Sequence, residues 1–289
     1  MNAITFATHK QGFIDQLMES YIRHDIAHTV LGEGKTWQGF TWKFNLMLSH
    51  LRTLPIKTII LLHDAFDVVF LASTEEIVHK YHKLCQDNDC RIVISAEEPF
   101  HGLYGLLFNC SFNRCASYPD KVVNCGMIIA DCKSMIELLE YSKFYVDDQT
   151  MTTDVYFKNL LPMFLDVEYS LFLNIHKKNC WDVGGAPDVS DFSIDTVRGR
   201  IQMKNGSWPC VIQGPECTDI SKILNKLGYP SASPIPYSTR LRFLRYQLGA
   251  FAKRKYVRLL LLYFLIVLLA IISVIRVVLL SKKNRNRPT

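Results

Sequence analysis

Short apolar runs alternate with longer stretches of helical period through residues 1–230, the pattern of a layered α/β domain. "AITFAT" reads as a first strand and "FTWKFNLMLSHLRTL" as an amphipathic helix, followed by the strand "TIILL". "TEEIVHKYHKLC" predicts the next helix with Thr74 as its N-cap, and "RIVISAE" the next strand. "KVVNCGMIIAD" predicts a strand pair around a glycine turn, and "DDQTMTTDVYFKNLL" a helix with acids at its positive end. Ligands of open α/β sheets bind beyond the strand ends, and Asp64, Glu97 and the "NCG" turn are expected there.

The pattern breaks near the C-terminus. "LLLLYFLIVLLAIISVI" runs from Leu259 to Ile275, and Leu259–Leu280 as a helix would span about 33 Å, enough for the apolar core of a bilayer. The sequence therefore predicts a domain over 1–230, a basic and aromatic juxtamembrane linker over 231–256, a transmembrane helix over 257–280 and a short basic tail over 281–289. Seven basic residues from Arg240 to Arg258 precede the span and four follow it, which favours a cytoplasmic domain. The first residues show no secretory signal.

Charge follows the same division. Twelve Lys or Arg lie from Arg240 onward with no Asp or Glu, so the net charge of +6 becomes −6 for residues 1–239. An acidic body argues against nucleic acid as a partner, and the basic linker points to anionic headgroups. Nine scattered cysteines do not form a disulfide framework and read as buried free thiols; Cys110 and Cys115 are too isolated for a site. Acceptor triplets at Asn109 and Asn205 matter only in a luminal domain, and His24 and His28 read as one face of a surface helix.

The candidate chemistry begins in "IILLHDAFDVVF", where Asp64 and Asp67 leave a buried strand three positions apart. If the turn folds them together, they face one cation; solvated turn acids are the alternative. Magnesium and manganese take oxygen ligands and complete their shells with water and substrate phosphates, so two carboxylates suffice.

Further segments in fixed order make the chain resemble the glycosyltransferase domain of procollagen lysyl hydroxylases and related procollagen galactosyltransferases. They are "TFAT", "VLGEGKTWQGFTWK", "LLHDAFDVVF", "VISAEEPF", "VVNCGMIIA", "VDDQTMTTDVYF", "LDVEYSLF" and "WPCVIQG". The resemblance covers residues 3–230 and implies a Rossmann-like GT-A fold that uses a nucleotide sugar, a UDP-hexose, with Mn²⁺ or Mg²⁺. It implies that Asp64 and Asp67 bind the metal and reach the nucleotide, and that Phe66 lines the uridine site or packs beneath the turn. Ser95, Ala96 and Glu97 match one site segment, with Glu97 toward the donor; Asn124, Cys125 and Gly126 match another. There Asn124 would orient sugar hydroxyls, or simply stabilise a turn, while Gly126 admits the backbone closely. Asp147, Asp148 and Gln149 match the segment that sits against the donor sugar, where a carboxylate would hold hydroxyls or stabilise the cationic anomeric carbon.

One position departs from the family. Where the family carries a metal-binding histidine, "PCVIQGPE" places Gln213, a neutral oxygen donor that suits manganese less well than imidazole. Lys222 is within sequence reach of the diphosphate, or is a solvated helix lysine. The resemblance stops where the lysyl hydroxylases continue into an iron-dependent oxygenase, so no hydroxylation is expected. The sequence therefore predicts a membrane-anchored, retaining glycosyltransferase moving glucose or galactose from a UDP-sugar to a hydroxyl on a protein or glycan. The competing reading is a catalytically impaired module that binds a nucleotide sugar or a partner at a membrane.

Overall fold

The computed structural model describes residues 1–99, 121–177, 185–215, 217–229 and 232–252, with isolated positions between 262 and 272. The chain divides into two units, Met1–Pro236 and Tyr237–Thr289.

The first unit is built on six strands: β1 (Asn2–Phe6), β2 (His28–Leu31), β3 (Ile59–His63), β5 (Ile92–Glu97), β6 (Val122–Asp131) and β7 (Met163–Asp166). Their order across the sheet is β2-β1-β3-β6-β5-β7, and β6 runs antiparallel to both its neighbours while the other pairings are parallel. Alternation of side chains assigns each strand residue to a face. In β3, Ile60 and Leu62 join Phe44, Met47 and Leu51 of helix α2 (Phe40–Leu51) on one side. Leu61 points to the other, against Leu17 and Tyr21 of α1 (Ile14–Arg23) and Ile77 and Tyr81 of α3 (Thr74–Asn88). Both faces are covered, which explains why these strands are nearly continuous apolar runs in the sequence.

Helices α4 (Cys132–Glu140) and α5 (Asp148–Phe157) pack on the α2 side. A second sheet of β4 (Val68–Phe70), β11 (Val211–Gln213) and β8 (Phe172–Asn174) in the order β4-β11-β8, a hairpin of β9 (Phe192–Asp195) and β10 (Arg200–Met203), and α6 (Ser221–Lys226) enclose a further core around Val69, Leu173, Ile201, Ile212 and Leu224. The acids of "DAFD" thus lie in the four-residue link between β3 of the large sheet and β4 of the small one.

Three sequence expectations are corrected. The cap of α3 is Ser73, whose Oγ accepts from the Glu76 N–H at 3.4 Å, and Thr74 is the first helical residue. "KVVNCGMIIAD" is one strand, and its glycine lies in a bulge: Ile94 pairs with Ile128 but Ser95 already pairs with Asn124, leaving three residues of β6 looped out opposite β5. His24 and His28 do not share a helix face, because α1 ends at Arg23, Asp25 turns the chain with φ 52°, and His28 opens β2 with its ring stacked on Tyr21 at 4.1 Å.

In the second unit, α7 spans Tyr237–Ala252. The transmembrane segment assigned to 257–280 and the tail 281–289 lie largely outside the described residues, as do Asn109, Cys110 and Cys115. Among the described residues no helix is long and apolar enough to cross a membrane.

Candidate nucleotide-sugar site

Because β6 runs antiparallel, its N-terminal half meets the C-terminal ends of β3 and β5 at one edge of the sheet. Asp64 follows the last residue of β3, Glu97 ends β5, and Asn124, paired with Ser95, borders the bulge that holds Cys125 and Gly126. β11 brings Gln213 to the same place from the small sheet.

Gln213 organises the acid pair. Its Nε2 donates to Asp64 Oδ2 at 3.0 Å and to Asp67 Oδ2 at 3.1 Å, so both carboxylates converge on a single point. Its Oε1 is buried, has no hydrogen-bond partner among the described residues, and lies against Gly126, where a Cβ would stand 2.3 Å from it. Glycine is therefore required at this position: it leaves no side chain beneath the amide, and its carbonyl accepts from the Asp64 N–H at 2.9 Å, continuing the β3–β6 ladder beyond His63 and Met127. Asn124 holds the bulge: its Oδ1 accepts from the Gly126 N–H at 2.7 Å and its Nδ2 donates to Glu97 Oε2 at 2.7 Å.

Asp64 is fixed from behind by a residue that sequence reasoning passed over. His63 is buried, and burial pushes its imidazole down to about 4, so it is neutral at physiological pH. Its Nδ1–H donates to the Asp64 carbonyl at 2.7 Å, which leaves Nε2 to accept from the Tyr21 hydroxyl at 2.7 Å. The Thr5 hydroxyl donates to the His63 carbonyl at 2.8 Å.

The second acidic pair divides into two roles. Asp147 caps α5, accepting from the Thr150 N–H at 2.7 Å and its hydroxyl at 3.0 Å. Asp148 accepts from Lys43 Nζ at 2.7 Å, across from α2. Gln149 anchors the start of α5 to the bulge, accepting from the Cys125 N–H at 3.1 Å and donating to the Val123 carbonyl at 2.6 Å.

Lys43 is the other residue missed from sequence, where it reads as one more polar position on an amphipathic helix. Burial alone would lower its ammonium, but Asp148 and then Asp64 hold it above the ordinary lysine range. Burial likewise opposes the charge on Asp148, and Lys43 overcomes it, keeping that carboxyl below the usual value. Asp64 and Asp67 have no such compensation: burial raises both, Lys43 offsets it only in part at Asp64, and the charge of Asp64 adds to the rise at Asp67. Glu97 is also raised by burial despite its bond from Asn124.

A convergent pair of disfavoured carboxylates is the electrostatic setting that a divalent cation relieves. The donor set is two carboxylates and an amide. Rotating the Gln213 amide by half a turn would exchange Nε2 for the unpartnered Oε1 and supply a third oxygen, so the residues fit a hard cation such as Mg²⁺ or Mn²⁺. Among the described residues no group of three or more His, Cys, Asp or Glu gathers as a metal site.

Two predicted residues are placed less centrally. Phe66 is half-buried beside Ala7, Ile14 and Ala65, with His9 at 5.6 Å between ring centroids, and its carbonyl accepts from the Phe13 N–H at 2.7 Å. Lys222 is exposed at the second position of α6, and no described contact joins it to the acids.

The first unit is thus a mixed α/β, Rossmann-like sheet with acids at the strand ends along one edge. The family profile described as "PLOD GT domain" matches residues 1–229, and the chain belongs to that family of glycosyltransferase domains. A procollagen-lysine,2-oxoglutarate 5-dioxygenase of Drosophila melanogaster is 26% identical over 249 residues, covering 79% of this chain and 32% of the relative. An uncharacterized protein, R699, of Acanthamoeba polyphaga mimivirus is 28% identical over 102 residues, covering 32% of this chain and 22% of its own length. The chain therefore spans about a fifth to a third of these relatives. Among solved structures, a glycosyltransferase involved in glycosylation of the major capsid of PBCV-1 superposes with a TM-score of 0.37 at 12% identity, covering 59% of this chain and 83% of that one.

Proposed function

We propose that the protein is a membrane-anchored, metal-dependent glycosyltransferase that moves a hexose, glucose or galactose, from a UDP-sugar to a hydroxyl on a protein or glycan. The observation that carries this reading is the convergence of Asp64 and Asp67 on Gln213 Nε2, beside the Lys43–Asp148 pair. A bound divalent ion supplies charge to offset the diphosphate that accumulates as the glycosidic bond breaks. Asp64, Asp67 and Gln213 would hold that ion, and Asn124 and Asp148 would orient the sugar. Lys43 keeps Asp148 ionised, so that it can hold sugar hydroxyls or stabilise positive charge at the anomeric carbon with retention of configuration. Phe66 would flank the base. Residues 257–280 would anchor the domain to a bilayer, with the basic linker on the cytoplasmic side.

A second reading, a nucleotide-sugar-binding module without turnover, is favoured by one feature. Gln213 as oriented already donates to both acids and so occupies the point where a cation would sit.

The full chain in detergent, incubated with a panel of UDP-sugars and Mn²⁺ or Mg²⁺, separates the two by release of UDP and by sugar-dependent thermal shift. Turnover in the presence of an acceptor supports the enzyme; a thermal shift without turnover supports the module. Neither signal with any sugar or metal would overturn both.

A further inference from the structure

Helix α3 ends in a way that brings two thiols together. Asp89 adopts the left-handed conformation, φ 47° and ψ 46°, and the Cys90 N–H donates to the Cys85 carbonyl at 3.1 Å. The Asp89 N–H bonds the same carbonyl, and this six-to-one closure after a left-handed residue, as in Schellman-type caps, brings the side chains of the two bonded residues together. Usually both are apolar; here both are cysteine, and their sulfurs stand 3.5 Å apart.

We propose that Cys85 and Cys90 form a reversible redox pair, closing to a disulfide in exchange with a low-molecular-weight disulfide such as oxidised glutathione. Closure needs the sulfurs to approach by about 1.5 Å, within reach of side-chain rotation about backbone already held by the cap. Cys85 is half-buried and Cys90 buried, so the pair has one accessible member to react and one enclosed member to resolve. The hydrogen bond from Cys90 also holds the Cys85 thiol below its ordinary range.

The steps balance. The Cys85 thiolate attacks one sulfur of oxidised glutathione, the disulfide of the reagent breaks, and one glutathione leaves as thiolate and takes up a proton. Cys90 then loses its proton to solvent and attacks Cys85 Sγ, releasing the second glutathione. Two protein thiols are oxidised by two electrons and one glutathione disulfide is reduced to two thiols.

The position gives the pair a structural consequence. Tyr81, one turn before Cys85, donates its hydroxyl to the Arg91 carbonyl at 2.8 Å and accepts from the Asp131 N–H at 3.2 Å. Closure would therefore pin the end of α3 at the junction where β5 begins and β6 ends.

The test uses the full chain in detergent, equilibrated across glutathione buffers of increasing oxidised fraction, acid-quenched, alkylated and mapped by peptide mass. The peptide carrying both cysteines should lose about 2 Da and resist alkylation at an oxidised fraction that leaves Cys125, Cys132 and Cys210 alkylated, and reducing buffer should restore it. Cys90→Ala should instead stop at a glutathione adduct on Cys85, and Asp89→Gly, which keeps the left-handed cap, should close like the wild type. Both cysteines remaining alkylated in the most oxidising buffer, or a stable glutathione adduct on wild-type Cys85, would overturn the proposal.

Discussion

At the scale of single residues the account turns on Gln213. An amide can present nitrogen to the acids or, turned over, oxygen to a cation, and only the second arrangement serves a metal-dependent transferase. Gln213→His should tighten Mn²⁺ binding by about 10-fold or more, measured by electron paramagnetic resonance of free manganese, because imidazole is the better ligand for that ion. Gly126→Ala tests the same amide from below. A methyl 2.3 Å from Gln213 Oε1 must displace the side chain, so we expect a loss of stability of about 1–3 kcal/mol in urea and weakened Mn²⁺ binding in the same preparation. The sequence made Asp64, Asp67 and Gln213 legible because they sit in ordered segments, but not Lys43 or His63. Lys43 acquires its meaning only when α2 crosses to the start of α5 and finds Asp148, and His63 only when Tyr21 packs against β3.

At the scale of elements, two side chains hold the parts that frame the site. Asp166, the last residue of β7, is fully buried and accepts from the N–H groups of Ser170, Leu171 and Phe172 at 2.7–2.9 Å, fixing the turn that delivers β8. Asp166→Ala leaves these donors without their acceptor and should cost about 3 kcal/mol, read as a fall in Tm. Glu76 of α3 takes both Arg200 nitrogens of β10 at 2.9 Å, tying the hairpin to the helix. The hydrogen bond from Arg200, despite opposing burial, holds Glu76 down to about 2. Its folded value lies below the unfolded one, so this contribution is present above the ordinary glutamate range near 4.5 and is lost as pH falls from there toward 2. The stability difference between wild type and Arg200→Ala should accordingly shrink across that interval in urea melts. The strands β1, β3 and β5 and the helices α2, α3 and α5 are readable from hydrophobic period, whereas the cap of α3 and the bulge in β6 are not. Gly126 signals a turn and a bulge equally well, and the choice is made by β3 and β5, whose registers extend the strand through it.

At the scale of the whole molecule, charge and hydropathy divide the chain more sharply than any motif does. An acidic body and a basic, apolar C-terminal region predict that the full chain stays with membranes after carbonate extraction, while a chain ending at Pro236 is released. Protease treatment of sealed vesicles should digest the domain if it faces the cytoplasm. The family membership extends the glycosyltransferase reading over residues 1–229, but the acid pair is where chemistry must be demonstrated. Isothermal titration of UDP into the full chain, with Mn²⁺ and with chelator, addresses it most directly. The account predicts binding that requires the metal and is lost in Asp64→Ala and Asp67→Ala variants that remain folded. UDP binding of equal strength in chelator, or unchanged in both variants, would contradict it.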